Sequence, residues 1–391
     1  MLEHLSKQEH TIVIGARQTG KSTLLKQLSE SLSNSGEHTV MLNLERKDIL
    51  LELNRSPESI LKYVSLNHPF RTVVFIDEVQ YLDDPSHFLK LLYDEYAGKI
   101  KIIATGSGAF YIDRQFKDSL AGRKKIFELP TLDFEEFLLF KEQDTLRDQL
   151  LSLRSGEIEK SIFGEQIWTY LEEYLTYGGY PAVVLESNIQ DKIERLQELR
   201  DSFVKRDIME SGITDEIKFY RMMILLAGQV GSLLNSSELA STLRIKNTTA
   251  DEYLFVLQKC FHIGLLKPFF NNLRKELVKM PKVYFNDLGL RNVLISYFAP
   301  IEQRADKGAL LENYVYRRLT ERFARDQIKF WRTSDGNEVD FVVEETPLGG
   351  HSVEVKFSSA EVNTSRYNKF VSTYPAFPLQ FVSWREPALL H

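Results

Sequence analysis

Eight residues near the amino end, Gly15-Ala16-Arg17-Gln18-Thr19-Gly20-Lys21-Ser22, constrain this chain more than any other stretch. They satisfy G-x-x-x-x-G-K-[ST] without a mismatch. Background composition produces that pattern in roughly one chain of this length per hundred. An apolar run, Thr11-Ile12-Val13-Ile14, precedes them, and Leu24, Leu25 and Leu28 follow at helical spacing. Strand, glycine-rich turn and helix in that order let successive backbone N–H groups face an anion, with the positive end of the helix behind them. The amides of residues 15–23, through Thr23, are thus expected to cradle the phosphates of a nucleoside triphosphate. Lys21 would reach the β- and γ-phosphates, and Ser22 would ligate Mg²⁺.

The rest of the first third extends the pattern. Short apolar runs at 39–44, 72–76 and 100–104, with one more at 125–129, alternate with amphipathic stretches. That alternation predicts a parallel sheet covered by helices. Residues 131–225 read as mostly helical, with helices at 132–141 and 189–208. Tyr177-Gly178-Gly179-Tyr180-Pro181 forms a break between them.

Val73-Val74-Phe75-Ile76 ends in Asp77-Glu78. At such a strand end Asp77 can hold Mg²⁺ through its water shell, and Glu78 can orient or deprotonate an attacking water. Ile102-Ile103-Ala104 ends in Thr105-Gly106-Ser107 and offers a hydroxyl near the γ-phosphate, with Ser107 preferred over Thr105. Leu120-Ala121-Gly122-Arg123 precedes the last of these strands. The Arg123 guanidinium can neutralise charge on a transferring phosphoryl group, more readily in a neighbouring subunit than in its own.

These four motifs occur in the order seen in AAA+ ATPases, where they are Walker A, Walker B, sensor 1 and arginine finger. The chain resembles prokaryotic AAA-type ATP-binding proteins that carry a restriction-endonuclease-like C-terminal domain. Gly178-Gly179-Tyr180-Pro181 resembles a further signature of that group. The resemblance implies ATP and Mg²⁺ as cofactors, ATP hydrolysis, and a homo-oligomer, expected as a ring.

Residues 226–291 carry nine Lys or Arg against five Asp or Glu, inside a chain with a formal charge of −6. Arg244, Lys246, Lys282 and Arg291 are among the nine. Asn235-Ser236-Ser237-Glu238 and the capping-box pattern Thr248-Thr249-Ala250-Asp251 each start a helix. Two strand-like runs follow, with Asn271-Asn272 as their turn and Arg274 and Lys275 at the tip. Helix, turn, helix and basic hairpin resemble a winged helix-turn-helix, which makes DNA the expected partner.

In Val353-Glu354-Val355-Lys356-Phe357, the period of two puts Glu354 and Lys356 on one face. Asp340 lies in a strand at 339–343, and Glu312 opens a helix expected at 312–329. There it shares the buried face with Val315, Leu319 and Phe323, while Arg318, Arg322, Arg325 and Lys329 form a separate basic stripe. Glu–Asp–(Glu-x-Lys) resembles the PD-(D/E)xK nuclease fold, with Val339 where the motif has proline. The resemblance implies Mg²⁺ on Asp340 and Glu354, Lys356 beside the attacking water, and Glu312 completing the site.

The expected fold is therefore α/β: a P-loop NTPase core of AAA+ type at 1–130, a helical lid at 131–225, a winged helix-turn-helix at 226–300 and a smaller α/β nuclease-like domain at 301–391. A single cysteine, Cys260, excludes an internal disulfide framework. No apolar run reaches the ~18 residues of a membrane span, and no signal peptide is recognisable. A cytoplasmic protein without membrane contact is expected. The function expected is an ATPase that couples hydrolysis to DNA binding or remodelling, with nuclease activity left open. The alternative is a nucleotide-gated oligomeric binding module whose nuclease-like domain is inert. A small-molecule kinase fits less well, because adjacent Asp77 and Glu78 suit activation of water.

Overall fold

The computed structural model describes residues 1–64, 71–106, 108, 120–269 and 280–390. The chain divides into two compact units. The first is 1–130 with 206–212 and 259–261; the second holds 131–205, 213–258 and 262–391.

The first unit is a wholly parallel five-stranded sheet. Its strands are β1 (His10–Ile14), β2 (His38–Asn43), β3 (Thr72–Asp77), β4 (Ile100–Gly106) and β5 (Lys124–Glu128), in the spatial order β2-β3-β4-β1-β5. Its helices are α1 (Leu2–Leu5), α2 (Lys21–Asn34), α3 (Lys47–Arg55) and α4 (Pro85–Tyr96). The central strands read as unbroken apolar runs because both faces are covered. Successive residues of β3 alternate between the two layers. Val73 and Phe75 pack with Leu25 and Leu28 of α2. Val74 and Ile76 pack with Phe88, Leu89 and Leu92 of α4 and with Ile49 and Leu53 of α3.

The leader is tied to the sheet by two cations. The buried Lys101 ammonium on β4 donates to the carbonyls of His4, Lys7 and Glu9 at 2.9–3.0 Å. Arg71 donates to those of Leu5, Ser6 and Lys7.

The second unit combines α5 (Phe134–Phe140), α6 (Asp144–Ser155), α7 (Gly164–Tyr177), α8 (Pro181–Val184), α10 (Glu216–Gly228), α11 (Ser236–Leu243), α12 (Asn247–Lys259), α13 (Leu288–Leu294), α14 (Lys307–Arg322) and α15 (Asn368–Thr373). The long α9 (Ile189–Ser211) ends in residues of the first unit. Its sheet is six-stranded and mixed, in the order β11-β10-β9-β8-β6-β7. The strands are β6 (Ile263–Pro268), β7 (Lys282–Phe285), β8 (Ile328–Arg332), β9 (Glu338–Thr346), β10 (Gly349–Lys356) and β11 (Leu379–Ser383).

Several expectations are corrected here. The β6–β7 pair is antiparallel, as a wing requires, but it is not free-standing. β6 pairs in parallel with β8 through Lys267↔Lys329 and Pro268↔Phe330, so the hairpin is one edge of the C-terminal sheet. The turn at Asn271-Asn272, with Arg274 and Lys275, lies outside the described residues. α14 spans Lys307–Arg322, so Glu312 sits in its middle and not in its first turn. The basic stripe does not form, because Arg325 follows the helix and Lys329 is in β8. α12 begins at Asn247, one residue before the expected capping box. Lys282 and Arg291, counted toward a basic face, are both interior.

Candidate functional site

The phosphate-loop candidate connects β1 to α2. Gly15 closes β1 where the chain after β5 passes over it. A Cβ there would lie 2.2 Å from the Leu129 carbonyl oxygen, which admits only glycine. Gln18 and Gly20 both take left-handed conformations, with φ of 59° and 95°. Such reversals turn consecutive amides toward one side of a loop. Thr19 pins the curl by donating to the Ala16 carbonyl at 3.0 Å.

α2 begins at Lys21 after an N-cap glycine that supplies no side-chain cap, and its first turn contains no acid. The positive dipole end of a helix that starts without a side-chain cap or an acid suits an external anion. The Lys21 side chain is buried and donates to the carbonyls of Gly15 and Ala16, at 3.1 and 2.6 Å. Arg17 is also buried, Ser22 is half-buried, and Gln18 and Thr23 are exposed.

The acidic end of β3 is joined to this loop by β4, which lies between β1 and β3 and sets Thr105 beside Val13. Thr105 is fully buried. Its hydroxyl donates to Asp77 Oδ1 at 2.5 Å and accepts the Glu78 backbone N–H at 3.1 Å. Glu78 is left-handed, with φ of 61°, and its carboxylate accepts from the Gln80 side-chain amide. Asp77, Glu78 and the second-choice hydroxyl, Thr105, are therefore in direct contact. Ser107 lies outside the described residues. Gln80 was not singled out from sequence, where a lone Gln two residues past an acid carries no motif.

The hard-oxygen set that Ser22 and Asp77 offer suits Mg²⁺. An amide-lined loop ahead of an acid-free helix start suits a polyphosphate.

Arg123 is at the other end of the sheet. Its backbone carbonyl accepts the His10 N–H, and His10 pairs with Lys124 at the entry of β1 and β5. The loop leaves from the exit of β1, roughly 15 Å along the strand. The guanidinium pairs with Asp94 of α4 at 2.6 Å, in a half-exposed position. Arg123 is thus placed away from the loop of its own chain.

In the second unit the nuclease-like residues meet, together with one that sequence reasoning had assigned elsewhere. Asp340 on β9 and Glu354 on β10 are buried. Asp340 N–H donates to Glu354 Oε2 at 3.2 Å, and Val355 N–H donates to Asp340 Oδ2 at 3.0 Å. Glu354 Oε1 accepts from Lys356 and, at 2.7 Å, from the Tyr367 hydroxyl. Glu312 accepts from the Tyr284 hydroxyl at 2.5 Å.

The Lys282 ammonium, 1% exposed, stands among three of the carboxylates. It lies 3.0 Å from Glu312, 2.5 Å from Glu338 and 3.4 Å from Asp340. Burial pushes the carboxyls of Glu312 and Glu354 up to about 7, with the nearby Asp340 charge adding to both. Burial opposes the charge on Lys282, but Glu312, Asp340 and Glu338 outweigh it and hold the amine protonated. Among the described residues, no group of three or more His, Cys, Asp or Glu could hold a metal ion.

The helix-turn-helix candidate consists of α11 and α12. Asn235 caps α11 by accepting from the Ser237 and Glu238 amides. Arg244 turns the chain in a left-handed conformation, φ 53°. Arg244, Lys246, Asn247 and Thr248 are exposed at the start of α12.

The Gly178-Gly179-Tyr180-Pro181 motif is a packing joint. Gly178 has φ 77°, and a Cβ there would sit 2.3 Å from Asp287 Oδ1. At Gly179 it would sit 2.2 Å from the Leu132 carbonyl. The buried Asp287 accepts from the Gly179 amide and caps α13 through Leu290. Asn292 donates to the last carbonyls of α7, at Leu175 and Thr176.

Comparison with known proteins agrees with the first unit. The family model described as an AAA domain matches residues 7–138. Two models described as domains of unknown function, DUF8612 and DUF4143, match residues 169–300 and 307–383. An uncharacterised protein of Methanocaldococcus jannaschii is 26% identical over 339 residues, covering 85% of this chain and 71% of the relative. One of Haemophilus influenzae is 27% identical over 346 residues, covering 85% and 78%.

Among solved structures, the RuvB Holliday junction branch migration motor of Thermotoga maritima aligns at 15% identity and a TM-score of 0.34. That alignment covers 66% of this chain and 81% of the motor. AMPPCP-bound DnaA from Aquifex aeolicus aligns at 16% and 0.32, covering 66% and 85%. No helix among the described residues is long and apolar enough to cross a membrane. The stretch that holds the loop at 15–22, the Asp77-Glu78 strand end, Thr105 and Arg123 is the stretch that matches an AAA domain.

Proposed function

We propose that this chain hydrolyses ATP and uses the cycle to work on DNA as a homo-oligomer, in the form of a ring. The observation that carries the reading is the contact of Thr105 with both Asp77 and Glu78, one strand away from the loop that ends in Lys21. Lys21 exchanges the carbonyls of Gly15 and Ala16 for phosphate oxygens. The amides of residues 15–23 bind the remaining phosphate charge. Ser22 and Asp77 are the residues that would hold Mg²⁺, which would supply neutralisation of the phosphate charge. Glu78 takes the proton of the attacking water, with Gln80 orienting its second oxygen. Arg123 of a neighbouring copy stabilises the charge on the transferring group.

DNA is supported as the partner by the exposed Arg244, Lys246, Asn247 and Thr248 at the start of α12, where basic and amide side chains reach phosphates and base edges. The test is phosphate release and nucleotide retention, with and without DNA, over a range of salt. Glu78→Gln is expected to retain ATP without releasing phosphate, and Lys21→Ala to lose ATP. DNA should stimulate the wild-type protein, with stimulation fading as salt rises. Unchanged turnover in Glu78→Gln rejects the catalytic assignment. Indifference to DNA at low salt rejects the partner.

A further inference from the structure

The carboxylates of the second unit form the set to which a PD-(D/E)xK resemblance assigns a divalent metal, yet the donors already on them do not leave a metal's place. Both oxygens of Asp340 and both of Glu354 accept hydrogen bonds from the protein: Lys282 and Val355 N–H on the first, Asp340 N–H, Lys356 and Tyr367 on the second. Glu312 is closed in by Lys282, by the Tyr284 hydroxyl and by the left-handed Gly231, where a Cβ would come within 2.9 Å of its carboxylate.

We propose that Lys282 is the permanent cation of this cluster, and that the cluster binds no divalent metal ion. Four carboxylates, Glu312, Glu338, Asp340 and Glu354, face Lys282, Lys356 and Arg332, and Arg332 holds Glu338 at 2.8 Å. A dication could enter only by displacing the Lys282 ammonium, the Tyr284 and Tyr367 hydroxyls or the backbone N–H groups of Asp340 and Val355, and each donor displaced would be left buried without its acceptor.

Lys282 is held where it stands. It opens β7, where it bridges to Leu233, and its ammonium lies 5.6 Å from the centre of the Phe330 ring. The ammonium thereby ties β7, α14 and β9 at one point. Its role is that of a structural metal, performed by a side chain.

The experiment counts bound Mn²⁺ by electron paramagnetic resonance on the full chain without nucleotide. Wild type and Asp340→Asn are expected to bind the same number of ions. Any ion held at Asp77 is common to both and cancels. Loss of one equivalent in Asp340→Asn overturns the proposal. In Lys282→Met the carboxylates lose their cation, and gain of one Mn²⁺ that Asp340→Asn abolishes is expected. If Lys282→Met binds only what the wild type binds, and that binding depends on Asp340, the proposal fails. Should Lys282→Met not fold, the comparison of wild type with Asp340→Asn still decides. A Mg²⁺-dependent cleavage of linear or branched DNA that Asp340→Asn removes would also overturn it. None of these readouts depends on ATP turnover.

Discussion

The Thr105 hydroxyl donates to Asp77 and in the same position receives the backbone N–H of Glu78, so one buried side chain fixes both acids at the end of β3. Thr105→Val keeps the shape and removes both bonds. A hydrogen bond to a charged group contributes ~1.5–3 kcal/mol, or about 10- to 100-fold in rate if it is spent on orientation. Phosphate release is expected to fall by that factor, with affinity for a fluorescent ATP analogue changed less than about threefold. Thr105→Ser should recover most of the loss. Wild-type turnover in Thr105→Val would remove this residue from the site.

Arg123 and Asp94 form a pair too exposed to add much to stability. If the guanidinium serves a neighbouring copy, it must leave Asp94 to do so. Arg123→Ala is then expected to lower turnover by ~10³- to 10⁵-fold. Asp94→Asn should leave turnover equal or higher, and both variants should keep the wild-type melting temperature. Mixing Arg123→Ala with Lys21→Ala protein should restore part of the activity, because each copy supplies what the other lacks. Two inactive proteins that stay inactive when mixed would speak for a role within one chain.

What could be read from the sequence was local. The β1, β3 and β4 runs were legible because a strand buried on both faces spells out its own burial, and the loop because Gly15 and Gly20 answer to backbone demands in their own vicinity. Lys282 was not legible. Its partners Glu312, Glu338 and Asp340 lie on elements that only the sheet brings together, so counting charges in a window placed it on a basic surface. The β6–β8 pairing has the same character. Two residue pairs join strands that have β7, α13 and α14 between them in the chain, and neither strand advertises its neighbour. α14 was started five residues late because Glu312 looks like a first-turn acid, whereas the helix already runs from Lys307 with a glycine in its opening turn.

The joint at Gly178 and Gly179 makes a stability prediction. At Gly179 a methyl group would meet the backbone oxygen of Leu132, whose own N–H is bonded to Gly179. The backbone there cannot yield as a side chain can. Gly179→Ala is expected to cost at least the ~1–3 kcal/mol of an overpacked core, and Gly178→Ala more, since left-handed strain adds to the clash with Asp287. Gly164→Ala, at the start of α7 where nothing lies within 4 Å, is the control and should be neutral or slightly stabilising. Urea midpoints for the three variants settle the order. Equal midpoints for Gly179→Ala and wild type would mean the joint is looser than its geometry.

His10 supplies the pH dependence of the first unit. Its Nδ1 accepts the Ile102 N–H at 3.2 Å and its Nε2 faces the Leu89 carbonyl at 3.1 Å, so the neutral ring with the proton on Nε2 satisfies both neighbours. Burial lowers its pKa to about 4; the Leu89 carbonyl opposes the shift, and Lys101 adds to it. The Tyr93 ring packs edge-on against it and brings no charge. A proton on Nδ1 would abolish the bond from Ile102. The unfolded chain takes up that proton near pH 6.5 and the folded chain only near 4. Stability is therefore fully present above 6.5 and declines between 6.5 and 4, by about 3 kcal/mol in all. His4, whose pKa is lowered chiefly by burial and then by Lys101, works in the same direction. Denaturant midpoints should drop from pH 7.5 to pH 4.5, and His10→Gln, which cannot take up a proton, should remove most of that drop while lowering stability at pH 7.5. A slope unchanged in His10→Gln would assign the acid sensitivity to other groups.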